Sequence, residues 1–190
     1  TVIIAGRGDV LIPYSASMPI FAINDIDPTQ VAWKVEGCLA DLLEAEDAQY
    51  AIAVDGIGIG SGVASHLIRQ AKLMNVHDVN VAELASDNVR FHRLRDEIWW
   101  MARERFFARL SSIPNDPELI AQLTDIHYAD ESGKIKVEGK KELKKRGVKS
   151  PNRADAFCLR EYARSYCMSR VAKQHQRSRS QARAVPWQVV

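Results

Sequence analysis

The sequence predicts an α/β domain, and three stretches carry that prediction. Ala51–Val54 is a short apolar run that ends in Asp55; Gly56, Gly58, Gly60 and Gly62 follow, then an apolar-periodic segment with Val63, Leu67, Ile68 and Ala71. That order is a buried strand, a tight glycine loop and a helix. His77–Leu84 reads as a further strand and Arg90–Leu110 as a long helix, so the two element types alternate. In an open α/β sheet ligands bind at the carboxyl ends of the strands, which is where Asp55 falls. Glycines at that point let a backbone, a phosphate or a metal come close.

Taken from the front, Thr1–Ala5 and Val10–Tyr14 are short and rich in β-branched residues, with Gly6-Arg7-Gly8-Asp9 between them. They predict a hairpin, with Asp9 as a turn residue rather than a ligand. Ser15–Ile26 reads as irregular. Asp27-Pro28 supplies a cap and a proline for the first helical position, opening a helix to about Asp47 with Val31, Val35, Leu39, Leu42 and Leu43 on its apolar face. In the long helix, Trp99-Trp100 and Phe106-Phe107 cannot all share one face, so it is expected to be buried on two sides. Asn115-Asp116-Pro117 starts a short helix to Thr124, and Ile126–Val137 forms a hairpin around Asp130-Glu131-Ser132-Gly133. Phe157–Met168 is a helix. Lys173–Ala184 is basic and poor in apolar residues, so 1–167 is the expected domain and 168–190 a flexible basic tail.

Composition limits the function classes. A chain of 190 residues that is 46% hydrophobic has enough apolar content for one packed core. No apolar run approaches the roughly 20 residues a membrane helix needs, and there is no signal peptide, so no membrane partner is expected. Cys38, Cys158 and Cys167 form no CxxC pair and have no His-rich partner cluster, which points to reduced thiols in a reducing compartment. The net charge of +2 decides nothing without its distribution. That distribution is uneven: Lys134–Lys149 holds eight Lys or Arg against two Glu, and no acidic residue follows Arg164.

Two carboxylates are the candidate catalytic and metal-binding residues. Asp55 ends its strand, and Asp155 lies at the start of a helix behind Pro151 and Asn152, with Asn152 as the N-cap. A carboxylate in a first helical turn gains from the helix dipole alone, so Asp155 needs no ligand to be explained. If the two face each other they repel unless a cation lies between them, and hard oxygen donors suit Mg²⁺ or Mn²⁺. Two such ions about 3.5–4 Å apart support phosphodiester hydrolysis. The basic run feeds into the Asp155 helix, so Lys140, Lys141, Lys144, Lys145 and Arg146 are candidate DNA-binding residues; a solvated helix face explains the lysines about as well. The glycine loop does not fit GxGxxG, and no GxxxxGK[ST] occurs. The histidines show neither HxH nor HExxH and read as surface or packing residues.

The loop Val54–Ile68 and the stretch Lys134–Leu159, above all Glu138–Ala156, resemble the C-terminal nuclease domain of the large terminase subunit of tailed bacteriophages. The resemblance covers about residues 1–165. It implies a ribonuclease-H-like fold, a mixed central β-sheet flanked by helices. It also implies a metal-dependent endonuclease that cuts concatemeric double-stranded DNA around genome packaging in the host cytoplasm, alongside a portal protein and a small terminase subunit. Asp55 matches the family's second acidic ligand and Asp155 its last; Asn152 stands where many members carry Asp. The family's first acidic residue lies on a strand before the one that Thr1–Gly6 matches, so the sequence is expected to be part of a longer chain. With that carboxylate absent, weak metal binding and little cleavage are expected, unless Asp9, Asp25 or Asp27 substitutes. The alternatives are a catalytically silent DNA- or portal-binding module, or another ribonuclease-H-like nuclease such as a resolvase.

Overall fold

The computed structural model describes residues 1–24, 26–43 and 49–183, with side chains as far as Cys167. Its strands pair both ways. β1 (Val2–Ile3) runs antiparallel to β4 (Phe21–Ala22), and β2 (Ala5–Arg7) antiparallel to β3 (Val10–Ile12). β5 (Ile52–Asp55) is parallel to β6 (Val76–Val79), and β7 (Tyr128–Glu131) antiparallel to β8 (Lys134–Val137). These four pairs are separate two-stranded pieces, with parallel bridges from Val10 to Ser112 and from Phe91 to Ile135. The helices are α1 (Pro28–Leu42), α2 (Ile59–Arg69), α3 (Leu94–Phe107), α4 (Pro117–Thr124), α5 (Lys140–Lys145) and α6 (Asn152–Arg183).

Strand alternation explains the layering. Ile52 and Val54 of β5 pack with Val31, Ala32, Val63 and Leu67 between α1 and α2, while Ala53 packs into the other cluster, which holds Phe157, Cys158 and Leu159 of α6. Successive strand side chains point to opposite faces, so Asp55, two residues after Ala53, shares the α6 face. The core on that side is built by Ile98, Trp99 and Ala102 of α3 against Ala154, Phe157 and Cys158 of α6. Phe106 stacks on Phe157 with ring centroids 5.3 Å apart.

Local chemistry sets several boundaries where the sequence places them. Asp27 Oδ1 accepts the Thr29 N–H at 2.8 Å and Asp116 Oδ1 the Leu119 N–H at 2.8 Å, each capping a helix with proline in its first turn. Ser132 (φ 56°) and Gly133 (φ 78°) turn the β7–β8 hairpin, as two-residue loops with both φ values positive do.

Elsewhere the expected boundaries move. The front hairpin is divided: only Ala5–Arg7 pairs with Val10–Ile12, and Val2–Ile3 pairs instead with Phe21–Ala22, inside the stretch expected to be irregular. Pro13 has no N–H to extend the ladder, and a turn closed by Tyr14 N–H to Pro19 O at 2.9 Å returns the chain to β1. The first helix ends at Leu42 rather than near Asp47, which lies outside the described residues, as does Asp25. The strand expected over His77–Leu84 stops at Val79, where Asn80 Oδ1 accepts the Ala82 N–H at 3.1 Å and bends the chain. The helix expected from Arg90 begins at Leu94, because Asp96 Oδ2 accepts the Arg93 N–H at 3.0 Å and fixes the first turn there. α6 starts at Asn152, ahead of the expected Phe157, and stays helical to Arg183 through the first part of the expected tail. No Gly or Pro interrupts Asn152–Arg183, and helix propagation needs only one bond per added residue.

The aromatic pairs of α3 divide between layers. Trp99 is buried; Trp100 lies edge-on to Tyr128, with centroids 4.9 Å apart; Phe106 stacks on Phe157; Phe107 is exposed beneath the Arg103 guanidinium. Three of the four thus find cover on two sides of the helix. Among the described residues no helix is long and apolar enough to cross a membrane, and Cys38 and Cys158 are free thiols.

Phe157 is fully buried at the joint of α3 and α6. Phe157→Ala is expected to lower unfolding stability by about 3–5 kcal/mol, the range for large core truncations, read by chemical denaturation. A loss below about 1 kcal/mol would show that the α3–α6 joint does not hold the domain.

Candidate metal and nucleic-acid site

Asp55 reaches the site because the chain turns tightly behind it. Gly58 takes a positive φ of 73° at the head of α2, and a Cβ on Gly60 would lie 1.8 Å from the Asp55 carbonyl oxygen. Only glycine lets the first turn of α2 pass so near the strand end. The Asp55 carboxylate folds back on the loop, its Oδ1 accepting the Ile57 N–H at 3.2 Å. The described hydrogen bonds include none to its Oδ2.

Asp155 arrives from the opposite layer. It lies on the first turns of α6, between the fully buried Ala154 and Phe157. The turn before it is fixed from a distance: Gln122 Oε1 of α4 accepts the Arg153 and Ala154 N–H groups at 2.8 and 3.1 Å. Asn152, expected as the cap, is instead the first residue of α6, and its Oδ1 accepts the Ser150 hydroxyl at 2.9 Å.

The two carboxylates line one cleft of about 790 Å³ with Ile57, Arg95, Trp99, Lys136 and Lys140. Three groups hold Asp155 within it. The Trp99 indole N–H donates to Oδ1 at 3.0 Å, Arg95 Nη2 lies 3.6 Å from Oδ1, and Lys140 Nζ lies 3.9 Å from Oδ2. Burial pushes the Asp155 carboxyl above the usual carboxylate range; Arg95, Lys140 and Trp99 pull it back, and the charge on Asp55 pushes it up again. The charge of Asp55 is thus one of the influences on Asp155. A second cleft of about 990 Å³ shares Asp55, Lys140 and Asp155 and runs between Thr1–Gly8 and Gln49–Val54, with residues of α1 and α6 along it.

The donor set fits a hard divalent cation in kind but is small. Each carboxylate has one oxygen on a protein hydrogen-bond donor, and among the described hydrogen bonds none goes to the other; all-oxygen donors suit Mg²⁺ or Mn²⁺. Among the described residues no group of three or more His, Cys, Asp or Glu converges to hold a metal. Asp9 lies outside both clefts; its Oδ1 is ion-paired to Arg164 at 2.5 Å and Arg105 at 2.8 Å, which hold its carboxyl below the usual range. Asp27 is occupied as a helix cap.

The basic run separates into two roles. Lys140, Lys141, Lys144 and Lys145 are exposed on α5, which anchors itself by the buried Leu143. Lys140 alone stands at the mouth of both clefts. Arg146 is engaged within the protein: Nε donates to Glu138 Oε1 at 2.8 Å, Nη2 to the Asp125 carbonyl at 2.6 Å, and Nη1 lies 3.2 Å from His127 Nε2. The site residues missed in the sequence are Arg95 and Trp99. Their only signal is an arginine four residues before a tryptophan on the helix face that also carries Ile98 and Ala102.

No family model matches the chain, and no curated protein matches it. Solved structures do. The nuclease domain of the large terminase subunit gp2 of bacterial virus Sf6 is 19% identical, with a TM-score of 0.60, covering 83% of this chain and 80% of that one. A lysine-to-alanine mutant of that domain with manganese gives 18% identity and a TM-score of 0.63 over 83% and 81% of the two chains. The chain shares the fold of these structures. It is ribonuclease-H-like, as the resemblance implies, and the Asp55–Asp155 cleft lies within it.

The raised proton affinity of Asp155 has a definite sign. Between the carboxyl's unfolded and folded pKa values the folded chain binds more protons, so stability falls as pH rises through that window, and above it the ionised Asp155 is a net cost. Asp155→Asn keeps an oxygen acceptor for Trp99 and carries no charge. Its unfolding stability at neutral pH is therefore expected to equal or exceed the parent's, with the difference shrinking toward the carboxylate pH range. Thermal denaturation at both pH values tests this; a midpoint many degrees below the parent at neutral pH refutes it.

Proposed function

We propose that this chain is the metal-dependent endonuclease domain of a phage large terminase subunit, hydrolysing phosphodiester bonds of concatemeric double-stranded DNA. The observation that carries it is the convergence of Asp55 and Asp155 in one cleft under Lys140, within a nuclease fold. Mg²⁺ or Mn²⁺, two ions by the resemblance, would supply activation of a water nucleophile and neutralisation of charge on the leaving oxygen. Asp55 and Asp155 would hold the cations. Lys140 positions a backbone phosphate at the cleft mouth, while Lys141, Lys144 and Lys145 extend the cationic surface along α5. Portal protein and small terminase subunit are the proposed protein partners, and the host cytoplasm is where they meet.

The carboxylate count favours one alternative, a catalytically silent DNA- or portal-binding module, since two acids alone hold a metal weakly. The second cleft supports the nuclease. The described strands on its two sides, β1 and β2 and across from them β5, each pair with only one neighbour. The sheet edges there are open to one further strand, and by the resemblance that strand would bring the family's first acidic residue beside Asp55.

The decisive measurement is Mn²⁺-dependent nicking of plasmid by a chain extended upstream through that strand. Nicking is expected in the parent and abolished by Asp55→Asn or Asp155→Asn. Full nicking by either variant overturns the assignment, and a parent that binds DNA without cutting supports the silent module.

A separate test concerns the lysines. Replacing Lys140, Lys141, Lys144 and Lys145 with Ala is expected to weaken DNA binding alike across sequences. The slope of log affinity against log salt should flatten by about one unit for each lysine on a phosphate. An unchanged slope returns α5 to a solvated face.

A further inference from the structure

The carboxylates are held in a way that the number of ligands does not require. Asp155 Oδ1 is taken by protein groups on the α3 side: the Trp99 indole N–H at 3.0 Å and the Arg95 guanidinium at 3.6 Å. Arg95 is itself fixed. Its Nη1 donates to the Glu138 carbonyl at 2.9 Å, its plane lies over the Trp99 ring at 5.3 Å, and its Nη2 is buried with no hydrogen-bond partner. Asp55 is restrained in the same sense, its Oδ1 turned to the Ile57 N–H at 3.2 Å. The described hydrogen bonds engage one oxygen of each acid, and the Oδ2 of Asp155 lies 3.9 Å from Lys140 Nζ.

We infer that Arg95 and Trp99 are positioning residues that set the metal preference of the site, by holding Asp155 to one-oxygen coordination and so favouring Mg²⁺ over Ca²⁺. The physical basis is the difference between the ions. Ca²⁺ takes six to eight oxygens and readily accepts both oxygens of one carboxylate, whereas Mg²⁺ keeps a tight octahedron with mostly single-oxygen ligands and water. A carboxylate with one oxygen pinned gives Ca²⁺ less than it can use and costs Mg²⁺ nothing. Groups that orient a ligand from behind commonly change metal affinity by 10–100-fold when removed. The inference rests on the proposed metal site, and its test reads binding rather than cleavage.

In the chain extended upstream through the strand that would bring the third carboxylate, Mn²⁺ is bound first and followed by water-proton relaxation. Mg²⁺ and Ca²⁺ are then titrated separately to displace it, giving the ratio of their affinities. Trp99→Phe keeps the ring and removes the donor; Arg95→Gln removes the guanidinium; Arg95→Lys keeps a charge without the fixed fork. Each is expected to shift the ratio toward Ca²⁺, by about tenfold in the Trp99→Phe/Arg95→Gln double variant, the low end of such orienting effects. If Arg95 acted only through its charge, Arg95→Lys would keep the parent ratio, which would overturn its positioning role. Thermal denaturation of every variant is run alongside, and if Trp99→Phe does not fold the Arg95 variants carry the test. A parent that binds Mn²⁺, with ratios unmoved in all folded variants, overturns this inference and leaves the metal site standing. A parent that binds none of the ions overturns the metal site and this inference with it.

Discussion

The structure depends on the packing of the start of α6 against α3 and β5. Ala154, Phe157 and Cys158 are each fully buried there, and Phe157 meets Phe106 ring to ring. That contact is apolar and unremarkable in kind, yet it fixes the height and rotation of α6. Asp155, on the same turns, is thereby brought over the carboxyl end of β5 on the face that Ala53 and Asp55 share. Without the layer contact, Asp155 would be one more acidic residue in a first helical turn, favoured by the helix dipole and by nothing else.

Burial makes the convergence expensive, and the surroundings answer it with fixed positive charge. Removing a carboxylate from water disfavours its ionised form, and a second carboxylate nearby adds to that. Arg95, Lys140 and the Trp99 donor offset part of the cost without removing it, and Asp155 retains a raised proton affinity. A divalent cation between the acids would reverse the balance, because the strain that disfavours two anions favours a cation they share. A carboxyl raised by burial and by a second acid in a cleft is the kind of perturbed group that clusters at functional sites.

A second charged assembly, away from the clefts, is structural by the same reasoning. Glu161 is fully buried on α6, where Arg105 of α3 and Arg160 bind it, while Arg105 and Arg164 hold Asp9 of the β2–β3 turn. The network joins three elements distant in sequence and keeps Asp9 away from the Asp55–Asp155 cleft. Arg146 shows a similar distinction within the basic run: it ties the hairpin to the end of α5 through Glu138 and Asp125, while its lysine neighbours remain exposed.

The sequence by itself determined what consecutive residues can impose. The strand–glycine loop–helix unit that ends in Asp55, the Asp27 and Asp116 caps with their prolines, and the Ser132-Gly133 turn all follow from backbone chemistry within a few positions. Asp55 and Asp155 could be singled out in the sequence because the ends of elements carry visible local signals, and the structure brings both to one cleft. Tertiary structure decided the rest. The cap of α6 comes from Gln122, 32 residues from Ala154, and the donor to Asp155 from Trp99, 56 residues away. Val2–Ile3 chose Phe21–Ala22 over the nearer strand once Pro13 closed the local ladder. These contacts join residues with no local signature of their partners, because a tryptophan or a glutamine on a helix reads the same whether it faces a carboxylate, a backbone end or solvent.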